Sequence, residues 1–171
     1  MELRVSVKQK GAIFEGKAPE IINKAMTSAM YEATELLERK VKDLTPQGVG
    51  GAKGGLRSTI QSEVRGPGTP MVKGIVFTQS KYGEVIEKGR TAGKAMPPSG
   101  VLISWIEKKM GLSEGEAQRI EFVVRRAIGK HGFKTWPEGA GMFEDALAEN
   151  IFNIEKIFNN YGFSIVAQLN A

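Results

Sequence analysis

From Ile22 the apolar positions Ile22, Met26, Ala29, Ala33, Leu37, Val41 and Leu44 recur every three or four residues. That rhythm places them on one face of an α-helix and leaves no room for the two-residue alternation of a strand. The stripe predicts a helix about six turns long, against roughly three for an average globular helix. Any sheet this chain forms has to be laid against it. Pro19 suits the first turn, where a missing N–H costs nothing. Thr45 ends the helix, because the residue before Pro46 avoids the helical region. Ala25, Ala29 and Ala33 are small enough to let another element approach closely.

Beyond the helix the chain changes character. A glycine-rich run, Gly48 to Gly55, precedes two stretches that read as strands, Ser58 to Val64 and Met71 to Gln79, joined by a Gly-Pro-Gly turn. Val101, Leu102, Trp105 and Ile106 mark a short amphipathic helix stopped at Gly111. Ser113 and Glu116 have the spacing of a capping box. The helix they open is expected to bury Ile120, Val123, Val124, Ala127 and Ile128, to turn Arg119, Arg125 and Arg126 outward, and to stop at Gly129. A last helix carries Phe143, Leu147, Ile151, Ile154 and Phe158 and is expected to end at Gly162. Leu3, Val5 and Val7 alternate as a half-buried strand, and "FSIVAQLN" reads as a closing one. The fold class expected is α+β. Its small antiparallel sheet, of the terminal strands plus the central hairpin, would pack against the long N-terminal helix and further C-terminal helices. With 171 residues, no repeat and no linker, one domain is expected over 1–171, with a flexible glycine-rich loop at about 46–56.

Composition narrows the chemistry. Cysteine is absent from the sequence, which excludes disulfides and thiolate metal sites. No run of eighteen apolar residues occurs and the N-terminus lacks a signal-peptide core, so a soluble, cytoplasmically made protein is expected. The net charge of +5 is unevenly spread. Lys53, Arg57, Arg65 and Lys73 face only Glu63 in their stretch, and Arg119, Arg125, Arg126, Lys130 and Lys134 face only Glu121. Glu144, Asp145, Glu149 and Glu155 crowd the segment after Gly141. Separated basic and acidic patches suit either nucleic acid or another copy of the same chain.

Catalytic patterns fail on inspection. "GAIFEGKA" has phosphate-loop spacing, but Ala18 stands where a Ser or Thr must hold magnesium. Gly48 and Gly50 begin a dinucleotide-type spacing that Lys53 breaks. His131 is the single histidine, with no second ligand near it in sequence. Glu84 and Glu87 lie one helical turn apart among Lys81, Lys88 and Arg90, where ion pairing explains them. No catalytic, cofactor-binding or metal-binding residue is assigned, and no enzyme is expected. A DNA-reading helix from Ser113 would present Glu114 and Glu116 to phosphate at its N-terminal end, which is unfavourable.

Four stretches, in order, carry a resemblance. "DLTPQGVGGAKGGLRSTI" looks like an expanded form of a TP-x-D-T-G-x-L-R-x-S junction. "KYGEVIEKGR" is similar to a YA-x-x-V-E-x-G segment. "PPSGVLISWIEKKMG" resembles a proline-led helix with its tryptophan. "VVRRAIGKHGFKTWPEGAGMFEDAL" is similar to the I-A-x-x-I-x-x-x-G-x-x-x-x-P-F lead into the last helix. Together, from about Ile22 to Phe158, they resemble the tail-completion (neck, or minor tail) proteins of long-tailed bacteriophages and prophages. The chain departs from that pattern: the junction aspartate is missing, Tyr82 is followed by Gly83, and Glu138 to Met142 separate Pro137 from Phe143.

The resemblance implies a structural virion protein of the head–tail joint, assembled in the host cytoplasm as a homo-oligomeric ring. Its partners would be copies of itself, the head-side connector or stopper, and the tail tube or its terminator, with transient contact to genomic dsDNA and none to membrane. A tail-tube terminator is the alternative, and a DNA-binding protein using the 113–129 helix a further one. Partner or DNA contacts are expected at Pro46, Gly50, Lys53, Leu56, Arg57, Tyr82, Glu87, Arg119, Arg125 and Arg126. Gly48 to Gly55 would order on docking, bringing Lys53 and Arg57 to an acidic patch or to DNA.

Overall fold

The computed structural model describes residues 13, 15–48, 55–80, 82–133 and 138–170. The long stripe is helix α1, Ala18–Leu44, and a 3-10 turn at Leu56–Thr59 leads into β1, Ile60–Arg65. β1 pairs with β2, Lys73–Thr78, and the two form one sheet. Helices α2 (Gly83–Lys88), α3 (Ile103–Met110), α4 (Glu114–His131) and α5 (Met142–Leu169) follow. The arrangement is α+β, with a long N-terminal helix and a hairpin sheet.

The chain divides into two compact units. One takes the chain up to Leu37, Ser62–Val76 and the chain from Glu149 onward; the other takes Glu38–Gln61 and Phe77–Ala148. In the first, Ala25, Ala29 and Ala33 are buried on α1, as their small size foretold. β2 crosses α1 closely at Gly74, where an added Cβ would overlap Thr34 Oγ1 and come within 3.0 Å of Met30 Sδ. The Thr34 hydroxyl is turned back to donate to Met30 O at 2.6 Å. The hairpin turn is tied to the same helix, because Gly68 N–H donates to Thr27 Oγ1 at 2.8 Å.

In the second unit the core gathers Val41, Leu56, Ile60, Ile106, Ala117, Met142 and Ala146, all buried. Thr45, buried beside them, donates to Val41 O at 2.5 Å and lies 3.3 Å from Met142 Sδ. Thr59 and Thr78 share a hydroxyl hydrogen bond of 2.6 Å at the ends of the hairpin strands.

Two expectations about the helices are corrected. The segment "FSIVAQLN" is not a strand: α5 runs through Gly162 to Leu169. Ile154, Ile157, Tyr161, Ile165 and Leu169 are half-buried at spacings of three and four, so one helical stripe crosses the glycine. Burial raises the Tyr161 phenol above its ordinary pKa, with a hydrogen bond to Glu32 on α1 adding to the shift. α4, likewise, does not stop at Gly129. It continues to His131 and ends at Gly132, whose N–H donates to Ile128 O at 2.8 Å. Val123 and Ala127 are exposed, whereas Ala117, Glu121 and Gly129 form the buried line. The sheet is the hairpin alone among the described residues, and the Leu3–Val7 strand lies outside them.

Candidate functional site

The four stretches that carry the resemblance meet within the second unit, and each meeting has a local cause. Thr45 and Pro46, at the end of α1, belong to the first stretch; Thr45 touches Met142, the first residue of α5, from the fourth. Leu56, also of the first stretch, is 4% exposed and packs where Gly83 opens α2, at van der Waals distance from the position a Cβ would take. Gly83 is buried and its missing side chain makes room for Thr78 as well.

The second and fourth stretches meet at Glu87. Its carboxylate accepts the N–H of Phe143 at 3.0 Å and that of Glu144 at 3.1 Å. These are orphan donors of the first turn of α5, so Glu87 caps a helix from a distant part of the chain. The carboxylate also sits at the positive end of the helix dipole. Beside it, Ala140 N–H donates to Ile86 O at 2.8 Å and Gly141 N–H to Glu87 O at 3.1 Å, taking up the last carbonyls of α2. The approach is close enough to require glycine. Gly139 has φ +104°, and a Cβ there would overlap Glu87 O and sit 2.6 Å from Gly89 N. The "EGAGM" segment, read as an interruption of the family pattern, is what brings the two stretches into register.

The third stretch is held to α4 just ahead of the fourth by Glu121, a buried carboxylate, and within the fourth by Arg125. Glu121 accepts Gly100 N–H at 2.7 Å, Leu102 N–H at 3.3 Å and the Ser99 hydroxyl at 3.3 Å, fixing the turn that opens α3. Arg125 Nε donates to Pro97 O at 2.6 Å. Gly129 lies against Lys94 O and Met96, with no room for a larger residue unless that loop moves.

The expected contact residues therefore separate into two kinds. Leu56, Glu87 and Arg125 are engaged inside the unit: a core side chain, a helix cap and a loop tether. For Glu87, surface ion pairing is the wrong reading. It was correct for Glu84, which pairs with Lys88 at 2.8 Å and whose carboxyl that hydrogen bond holds below the usual range. Pro46 is half-buried after α1, and Arg57 is held to Asp43 at 2.9 Å. Tyr82, Arg119 and Arg126 are exposed and available to a partner. Gly50 and Lys53 lie outside the described residues. Lys17, of the rejected phosphate-loop spacing, is paired with Glu15 at 2.6 Å. His131 is an exposed residue of the last turn of α4.

Sequence reasoning missed Glu121, Gly139 and Gly141. For Glu121 a signal was present: it follows Ala117 by four positions on the apolar stripe and is the single acid among the arginines of its stretch. An acid in that place has to find donors.

The surface offers two shallow depressions. One, of about 430 Å³, is bordered by Lys88, Arg90, Thr91 and Lys94, and the other, of about 350 Å³, by Ser58, Thr59, Ser80 and Tyr82. More prominent is exposed apolar surface on the last two helices. Phe122 and Val123 on α4 are 55% and 65% exposed, and Phe152 and Phe163 on α5 are 72% and 75% exposed. Among the described residues no group of histidine, aspartate and glutamate is placed to hold a metal ion, and no helix is long and apolar enough to cross a membrane. Comparison with protein-family models, with curated proteins and with solved structures finds no match to this chain.

Proposed function

We propose that this chain is a structural virion protein of the tail-completion type, a ring-forming piece of the head–tail joint of a long-tailed phage or prophage. One observation carries the reading: the four resemblance stretches, spread from about Ile22 to Phe158, converge in one unit through Thr45–Met142, Leu56–Gly83, Glu87–Phe143 and Arg125–Pro97. Exposed apolar side chains within α4 (Phe122 and Val123) and, separately, within α5 (Phe152 and Phe163) support the same reading as surface for protein contacts.

The ring would take the head-side connector above and the tail tube or its terminator below, with the genome passing through. Deletion of the gene from the producing phage, followed by electron microscopy of the lysate, tests this. Filled heads beside separate tails of normal length are expected. Overlong tails would favour the terminator reading, and intact infectious virions would overturn both. A DNA-reading role for α4 is disfavoured by Arg125, which is spent on Pro97 O and leaves Arg119 and Arg126 to supply its phosphate contacts.

A further inference from the structure

The exposed faces of α4 and α5 are complementary in both charge and apolar content. On α4, Arg119, Phe122, Val123, Arg126 and Lys130 follow one another at spacings of three, one, three and four, which places them on one side of the helix. All are exposed, and this side is opposite to buried Ala117 and Glu121. On α5, Phe152 is flanked by Glu149 three residues before it and Glu155 three residues after, all exposed. The same side continues through Asn159 to Phe163 and Val166. One surface is apolar between cations; on the other, Glu149 and Glu155 flank the phenylalanine and outnumber Lys156, exposed four residues after it on the same side.

We infer that the basic apolar face of α4 in one copy docks on the acidic apolar face of α5 in a second copy. Two different patches, each completing the other, define a heterologous contact, which propagates head to tail and closes into a ring where the rotation permits. Arg119 and Arg126 would face Glu149 and Glu155, while Phe122 and Val123 cover Phe152. An isologous contact between two α4 faces would set cations against cations, a juxtaposition that is strongly disfavoured. The inference deepens the ring reading by naming its interface. It is tested on purified protein, so it stands or falls separately from the place of the ring in a virion.

The chain contains no cysteine, so two introduced ones can report on the contact without background. A Val123→Cys protein and a Phe152→Cys protein are mixed at high concentration and low salt and oxidised, with one of them tagged. The mixed disulfide dimer is expected to form at least about tenfold faster than dimers of either protein alone, and to slow as salt is added. Arg126→Glu in the Val123→Cys partner should abolish that advantage, and Glu155→Lys in the other partner should restore it. Circular dichroism establishes that each surface variant is folded. Equal rates for like and unlike pairs, no cross-linking at all, or charge reversals without effect would each overturn the inference.

Discussion

Glu87, on the short helix α2, accepts the backbone N–H of Phe143, 56 residues later, at 3.0 Å and so caps a helix from a distant part of the chain. The contact turns a local element into a long-range fastener. Replacing Glu87 with Ala leaves the N–H groups of Phe143 and Glu144 without this partner and removes a charge from the positive end of α5. Loss of a helix cap typically costs about 0.5–2 kcal/mol. Glu87→Gln keeps an acceptor and loses the charge, so its cost should fall between wild type and Ala. Chemical unfolding monitored by circular dichroism gives the order; equal stabilities for all three would show that the cap contributes nothing.

The approach of β2 to α1 at Gly74 yields a second prediction. Gly74→Ala drives a methyl into Thr34 Oγ1, an overpacking that should cost about 1–3 kcal/mol. Thr34→Ala removes the obstructing hydroxyl and its bond to Met30 O, for about 1 kcal/mol on its own. Combined, the two changes should cost less than their sum, because the second makes room for the first. A strictly additive double-mutant cycle would mean that the strand and helix separate easily.

How much of this was legible in the sequence depended on whether one force acted alone. The helix over Ala18–Leu44 and its stop at Thr45-Pro46 were legible because the burial of Ala29, Ala33 and Val41 and local backbone preference agree there, although Ile22 and Leu44 at the ends of the stripe are exposed. The same holds for Gly111, which adopts φ +67° after α3. "FSIVAQLN" was misread because β-branched and aromatic residues favour strands in general, whereas here Tyr161, Ile165 and Leu169 continue the buried stripe of α5. Gly129 was read as a stop for the same kind of reason. Its glycine serves the close passage of Lys94 and Met96, a tertiary demand that no local pattern reveals. The Glu87 cap was out of reach because donor and acceptor are separated by two whole helices, α3 and α4.

Acid should loosen the start of α4. The Glu116 carboxylate accepts the Ser113 hydroxyl at 2.6 Å and the Ser113 N–H at 3.0 Å, and these bonds hold its pKa below the ordinary value of 4.5. A carboxylate depressed in the folded state stabilises above its unfolded pKa, and that contribution is lost as pH falls through the folded one. Wild type should therefore exceed Glu116→Gln in stability near neutrality, with the gap closing in acid below about pH 4. The other depressed carboxylates, Glu63 and Glu84 among them, are present in both proteins and cancel in the comparison. Paired unfolding midpoints across that window decide it; a gap independent of pH would assign the effect to something other than the charge.

The glycine-rich run between α1 and the 3-10 turn should be dispensable for folding and indispensable for joining. Its described ends are already together: a Cβ built on Gly48 would lie 4.0 Å from Gly55 Cα. Residues 49–54 can then be removed without pulling Thr45 from Met142 or Leu56 from Gly83, since closing so short a gap strains neither flank. The shortened protein is expected to unfold within about 1 kcal/mol of wild type, because closure entropy changes only slowly with the length of a connection. If the proposed joining role holds, a producing phage carrying the shortened protein should fail to join heads to tails, the outcome expected of the gene deletion, because Lys53 is gone with the run. The two readouts separate the causes. A stable protein that still joins heads to tails removes the loop from the interface, and an unstable one shows that the run supports the fold and not the partner.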